Sequence, residues 1–440
     1  MKKKLVLITA NFPFGTTETF LESELPILAH NFEHIQILTF TTKGNKREVP
    51  ENCSVLEIKL NQKPILAYFG VFSLLFWKEI FIIKRIYKKK ISIGILKTML
   101  VSLMRGKAIA RYLSNFKPEE KENSIYYSYW CDDSAFALGL FNKKNQQKIR
   151  TVSRTHGWDV YFEVSDYNYL PFRHFIHKNL SHIFPISEKG KKYMEETWNV
   201  KGKITVSKLG VNCPHFDRLS VNFNNLSFRN NNINTCPPPL SPPKNLIRSK
   251  LSNGGNNDRN TFTLVSCSNL IPLKRVHLII EALSSIQSER IHWIHFGDGP
   301  EENKLKDLAN KKLSGNISFE FKGRVKNKEV LNFYDTNKPQ LFINVSSSEG
   351  IPVSIMEAMS FGIPCIATNV GGNSEIVNNN INGMLLSATP SVDEIAKGIM
   401  TIQANSQSEY NVMSEKAFKT WEKEYNADKN FNQFCRQIQN

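Results

Sequence analysis

SSSEGIPVSIMEAMSFGIPCIATNVGGNSE, from Ser346 to Glu375, decides the reading of this chain. Ile355, Met356, Ala358 and Met359 lie in a helix that Gly350, Ile351 and Pro352 lead into. An apolar run, IPCIATNV, follows and closes on Gly371 and Gly372. This is the strand, helix, strand rhythm of a parallel sheet wrapped by helices. Between Gly350 and Ser374 the only charged residue is Glu357. A carboxylate in so apolar a helix needs a partner, because an unpaired buried charge costs several kcal/mol. Either a buried Lys or Arg or the hydroxyls of a sugar or ribose would serve. Glu349 stands in the loop eight positions earlier, so the two carboxylates address different depths of one cleft. The amides of Gly350 and of the first helical turn can meet an anion, and Pro352 fits that turn, where its missing N–H is harmless.

The same rhythm extends in both directions. Towards the N-terminus, apolar runs occur at KLVLIT, IQILTF, SIYYSYW, KIRTVSR, HIFPIS and KITVSKLG, each followed by a polar or helical segment. Nearer the quoted stretch they occur at FTLVSCSN, RIHWIHFG, ISFEFKG and QLFINVSSS. A chain of 440 residues exceeds what one core supports, so two α/β domains are expected. The Asn/Pro-rich composition of 213–260 reads as a linker between a domain at 1–212 and another at 261–413. Residues 414–440 read as one helix carrying Phe418, Trp421, Tyr425 and Phe431, able to cross back to the first domain.

The pair Glu349 and Glu357, with seven residues between them, resembles the mark of the retaining family-4 glycosyltransferases of the GT-B fold. That resemblance implies two Rossmann-like parallel-sheet domains facing across a cleft. It implies that Glu349 contacts donor-sugar hydroxyls and that Glu357 holds the nucleotide ribose. SNLIPLKRVHLIIEAL is similar to the family's first strand-helix junction, where a basic pair grips the donor diphosphate. Lys274 matches the lysine. The arginine usually found five residues earlier is Asn269 here, which leaves open whether Arg275 replaces it. GDGP, starting at Gly297, matches the family's glycine turn near the nucleotide, and a plain strand-to-helix turn explains it equally.

In the first half, RTHGWDVY places His156 at the end of an apolar strand, where ligands gather in open α/β sheets. The resemblance makes His156 the residue that orients the donor sugar. It likens NFPFGTTETF, with Gly15, to the glycine-bearing loop that approaches donor and acceptor; Gly15 permits close backbone approach.

The implied function is transfer of a sugar, with retention, from a nucleotide-diphosphate sugar to a glycan or polyprenyl-diphosphate-linked acceptor in bacterial surface polysaccharide biosynthesis. Alternatives are a non-catalytic sugar-nucleotide-binding protein and a GT-B epimerase. No cofactor or metal is expected, since the chain has no Asp-x-Asp pair and no His/Cys cluster at ligand spacing. The net charge of +17 favours an acidic partner, but no nucleic-acid motif accompanies it. A nicotinamide enzyme is disfavoured because the first strand runs into NFPFGTT and not G-x-G-x-x-G.

Seven scattered cysteines suit a reducing cytosol. MKKKLVLITA reads as a buried strand, not a leader, and PILAYFGVFSLLFW stops at Lys78 and Glu79, short of a membrane span. The aromatic stretch from Pro64 to Leu113, with the basic run Lys84, Arg85, Lys88, Lys89 and Lys90, fits either attachment to the anionic inner face of the plasma membrane or helices packed on the first domain.

Overall fold

The computed structural model describes residues 3–60, 64–213, 261–313 and 315–440; beyond Cys213, the expected linker 213–260 lies outside them. The chain divides into two compact units, residues 1–210 with 427–440, and residues 211–426.

The first unit holds strands β1 (Lys4–Ile8), β2 (Ile35–Thr39), β3 (Cys53–Glu57), β4 (Ser124–Ser128), β5 (Thr151–Thr155) and β6 (His182–Pro185). All pair in parallel, in the order β3-β2-β1-β4-β5-β6. Alternation of side chains along a strand supplies both faces of this sheet. Val6 and Ile8 of β1 enter the core under helix Ile93–Ser114, whereas Leu5 and Leu7 enter the core under helix Leu21–Asn31. Phe434, Cys435 and Ile438 of the last helix, Ala427–Gln439, belong to the second of these cores.

The second unit repeats the plan with β7 (Phe262–Cys267), β8 (Ile291–Phe296), β9 (Ile317–Phe321), β10 (Leu341–Asn344), β11 (Cys365–Thr368) and β12 (Gly383–Leu386), ordered β12-β11-β10-β7-β8-β9. Numbered from its own first strand, each sheet has the doubly wound order 3-2-1-4-5-6. The order reverses between β1 and β4 in one sheet and between β7 and β10 in the other.

Three local expectations change. KITVSKLG is not a full strand: Ile204 makes a single bridge to Ile183, and Thr205 and Ser207 donate to the carbonyls of Ile183 and Pro185. The strands β3 and β12 were not expected; both are sheet edges and partly exposed, β3 being the polar-interrupted CSVLE and β12 the four-residue GMLL. The final helix is two, Gln407–Glu424 and Ala427–Gln439, broken at Tyr425 and Asn426. There the Tyr425 carbonyl accepts the N–H of Val211, and Asn426 bridges to Val211. The break comes where the chain leaves the second unit, and only residues from Ala427 onward join the first.

Candidate functional site

In doubly wound sheets, ligands collect beyond the carboxyl ends of the strands at the point where the order reverses. In the second unit that point lies between the loop after β7, carrying Asn269 and Lys274, and the loop after β10, carrying Glu349 and Gly350. Lys274 Nζ lies 2.6 Å from Glu349 Oε1, and Asn344 Nδ2 donates to the same oxygen at 3.1 Å. Asn344 ends β10, and its Oδ1 accepts the Ser346 N–H. Ser347 donates from its N–H and its hydroxyl to the Leu273 carbonyl, at 2.9 and 3.1 Å. The two loops are therefore tied by backbone as well as by the ion pair.

Arg275 has another task. Its Nε donates to the Val345 carbonyl at 2.7 Å, and its Nη2 to the carbonyls of Ser346 and Ala388 at 2.8 and 3.0 Å. Its backbone is left-handed, φ +49°, a conformation that costs a non-glycine residue about 1 kcal/mol or more and persists only where its surroundings fix it. Here three carbonyls fix it. Arg275 holds the β10 loop in place, while the position of the absent arginine is filled by an exposed Asn269.

The glycines separate by what a side chain would meet. A Cβ on Gly371 (φ +50°) would lie 1.7 Å from the Glu349 carbonyl oxygen, and one on Gly372 would lie 2.5 Å from that of Gly350. The turn after β11 thus packs directly on the Glu349 loop, and Gly372 N–H donates to the Gly350 carbonyl at 2.6 Å. A Cβ on Gly297 would strike the Ser268 carbonyl at 1.9 Å. That carbonyl also accepts from His295 Nε2 at 3.1 Å; Ser266 bonds to Nδ1, and Trp293 Nε1 donates to Ser266. Burial pushes the His295 imidazole down to about 4, so it is neutral, and the chain of bonds steadies the loop leading to Asn269. Gly350 differs: nothing lies within 4 Å of where its Cβ would be. Packing does not demand a glycine there; open space borders it.

Behind this loop runs helix Val353–Ser360, with Pro352 as its N-cap residue, one place ahead of the expected first turn, and Ile351 buried beside it. Glu357 is 7 % exposed. Neither a lysine nor an arginine meets it: among the described residues its hydrogen-bond partner is Asn327, whose Nδ2 donates to Oε1 at 2.7 Å. Burial raises the Glu357 carboxyl to about 7, with the Asn327 bond pulling the other way. A buried carboxyl with one neutral donor has acceptor capacity left for hydroxyl donors.

Gly15 and His156 stand in the first unit. Gly15 is left-handed, φ +68°, with open space around it. Its loop is organised by Glu18, whose carboxylate accepts the N–H groups of Ala10, Asn11 and Phe12 at 2.7–2.8 Å and Trp130 Nε1 at 2.8 Å. Trp130 follows β4, so this contact spans the reversal point of the first sheet. His156 follows β5, packed 4.4 Å from the Trp130 ring and 4.7 Å from Tyr129. Its Nδ1 is 3.9 Å from Asp159, whose carboxylate accepts the N–H groups of His156 and Cys131. Among the described residues neither imidazole nitrogen has a hydrogen-bond partner, although the residue is only 8 % exposed. Buried polar atoms are rarely left so, and this one is available to a ligand hydroxyl.

A cavity of about 440 Å³ opens in the same unit between helix Ile93–Ser114 and the loop Ser165–Arg173. Arg105, Asp132, Asp133, Trp158 and Tyr167 line it. Ser102 donates to Asp133, and Arg105 lies 3.6 Å from it. Burial, then the neighbouring Asp133, raises the Asp132 carboxyl to about 7. Aromatic faces beside paired carboxyl and guanidinium groups suit a polyhydroxylated ring. Among the described residues, no three His, Cys, Asp or Glu side chains are grouped to hold a metal ion.

Residues 248–420 match the family model described as glycosyl transferases group 1. That match takes in the whole of the second sheet, β7 to β12. The sites of Lys274, Glu349 and Glu357 all fall within it. Of curated proteins, the chain is 29% identical over 141 residues to the UDP-N-acetylglucosamine–peptide N-acetylglucosaminyltransferase GtfA subunit of Streptococcus agalactiae, covering 31% of this chain and 27% of that one. It is 24% identical over 245 residues to the putative colanic acid biosynthesis glycosyltransferase WcaL of Escherichia coli (strain K12), covering 54% and 51%. The chain thus spans between about a quarter and a half of these relatives' lengths. Among solved structures, the Anabaena protein HepE in complex with UDP aligns over 99% of both chains at a TM-score of 0.62 and 15% identity. The fold is GT-B: the second unit, where the family model matches, holds one parallel sheet and the first unit the other.

Asn344, Asn327, Glu18 and Trp130 were not singled out by sequence. Asn344 had a signal, a polar residue closing the apolar run LFIN, and Glu18 had another, the first carboxylate after the glycine loop. Asn327 had none.

Proposed function

We propose that this protein is a retaining, family-4 glycosyltransferase that moves a sugar from a nucleoside-diphosphate donor to a glycan or polyprenyl-diphosphate-linked acceptor in surface polysaccharide assembly. The observation that carries the reading is the arrangement at the second reversal point: Lys274 bonded to Glu349, open space at Gly350, and Glu357 buried with a single neutral donor. The group 1 match around it, the UDP named for HepE and the colanic acid named for WcaL support the same reading.

In this reading Glu357 accepts the ribose hydroxyls and Glu349 those of the donor sugar; His156, in the first unit, is proposed to bond a sugar hydroxyl. Lys274 and the first-turn amides of helix Val353–Ser360 meet the charge that grows on the departing diphosphate. The bond from the anomeric carbon to the diphosphate oxygen breaks as one to an acceptor hydroxyl forms on the same face. The hydroxyl proton passes to the departing phosphate oxygen. This one cation and the amides supply the charge stabilisation for which other transferases use a metal, so the reaction is proposed to run without one. The cavity beside Trp158 and Tyr167 is the first unit's candidate for a sugar of the acceptor.

Calorimetric titration with UDP, GDP, CDP and ADP, without added metal, tests this on the wild type and Glu357→Ala. One nucleotide is expected to bind selectively and to lose affinity in the variant. Failure of all four to bind would overturn the proposal.

A further inference from the structure

Sugar transfer leaves one surface of the first unit unexplained. From Pro64 to Lys117 the sequence contains eleven Lys and Arg residues and a single acid, Glu79. That acid is 1 % exposed; it accepts the Tyr169 hydroxyl at 2.5 Å and the Phe172 N–H at 2.9 Å, and burial raises it to about 7. No carboxylate of this segment therefore reaches its surface.

The same segment exposes large apolar side chains. Tyr68, Phe69, Phe72, Leu74, Trp77 and Phe81 are each 60–82 % exposed, and Ile93 86 %. Helix Leu74–Arg85 explains the sorting, since residues three, four and seven apart share a face. Phe76, Glu79 and Ile83 face the core. Leu74, Trp77 and Phe81 occupy the opposite side with exposed Lys78 and Arg85 among them, and exposed Lys84, Lys88 and Lys90 follow. The Trp77 indole N–H already donates to the Val71 carbonyl at 2.8 Å, so its ring can leave water without stranding a donor. Among the described residues no helix is long and apolar enough to cross a membrane, and so an occupant must lie against this ridge and not around it.

We propose that the ridge from Tyr68 to Ile93 docks on an anionic lipid bilayer, with the aromatic rings in the interface and the lysines and arginine at phosphate level. A second copy of the chain fits less well, because a self-complementary contact would bring two uncompensated cationic faces together. The inference stands apart from the donor reading, because lipid binding is measured without nucleotide or acceptor.

Flotation of the full chain with phosphatidylcholine vesicles, and with vesicles in which part of that lipid is phosphatidylglycerol, provides the test. The wild type is expected to float with the anionic vesicles only and to be released by salt. Lys78→Gln, Lys84→Gln and Arg85→Gln should each weaken partitioning about fivefold. The triple variant Phe72→Ser, Trp77→Ser, Phe81→Ser should stay in the soluble fraction, with thermal melting reporting that the fold persists. Trp77→Phe should still float but lose the part of the fluorescence quenching by brominated lipid that Trp77 contributes. Flotation of all variants equal to wild type, absence of flotation with either lipid, or a concentration-dependent dimer dispersed by the triple variant would each overturn the proposal, the last assigning the ridge to a second copy.

Discussion

Lys274 and Glu349 join across the reversal point of the second sheet: one follows β7, the other follows β10, and 2.6 Å separates Nζ from Oε1. On the proposed function, a donor diphosphate would compete with Glu349 for this ammonium. Lys274→Ala is predicted to weaken binding of the selected nucleoside diphosphate by about 10- to 100-fold, the scale of a lost charged hydrogen bond, while leaving binding of the bare nucleoside unchanged. Glu349→Ala should do the opposite to affinity, retaining or tightening the diphosphate while turnover falls. Calorimetry with nucleoside and nucleotide, paired with a transfer assay, separates the two. Equal loss of nucleoside and nucleotide in Lys274→Ala would remove the lysine from the phosphate.

On the proposed function, Glu357 is predicted to make nucleotide binding depend on pH. Its carboxyl is raised from 4.5 to about 7 by burial, and hydroxyl donors from a ribose favour the ionised form, lowering that value in the complex. Nucleotide affinity should therefore increase as pH rises through about 7, with proton release seen by titrating in buffers of different ionisation enthalpy. Stability moves the other way. A folded-state value above the unfolded one means that stability is fully present below about 4.5 and declines as pH rises to about 7. Glu357→Gln should flatten both profiles.

Gly371→Ala and Gly350→Ala should part company. The first forces a Cβ against the Glu349 carbonyl in a left-handed backbone, and is predicted to destabilise the unit by about 1–3 kcal/mol and to cut turnover by displacing Glu349. The second meets no atom within 4 Å and should fold normally, with reduced donor binding. Urea unfolding and donor titration of both variants check this; an unfolded Gly350→Ala would show that its glycine is structural.

In the first unit Arg154, fully buried, lies 3.5 Å from the equally buried Glu24 and 4.1 Å from the Phe434 ring. Tyr127 donates to the same carboxylate. Glu24→Ala leaves the guanidinium buried without its counter-ion and is predicted to cost about 3–5 kcal/mol. The double variant Glu24→Leu, Arg154→Met should recover much of that loss in chemical denaturation.

Much of this was readable in the sequence because it is local. Apolar runs such as IHWIHF and LFIN declare strands buried on both faces, and nine of the twelve described strands fall whole within runs recognised as strands; β5, entered by KIRTVSR, overruns its run by one residue. Glu357 stands out because its helix contains no other charge, and Glu349 because it sits in the loop leading into that helix. The linear pattern did not single out β3 and β12, the first a CSVLE broken by polar residues and the second a four-residue GMLL beside the polar NNNIN.

By itself the sequence determined the two α/β halves, the carboxylate pair and the lysine before the second half's first helix, since each depends on side-chain chemistry and spacing along the chain. Only the tertiary structure decided that Asn327 and not a cation meets Glu357, that Arg275 clamps three carbonyls, that Gly371 must be bare beneath Glu349, and that Glu79 is hidden from a cationic face. Each of these relationships joins residues far apart in the chain, and packing and desolvation act on neighbours in space, which periodicity along a strand or helix does not specify.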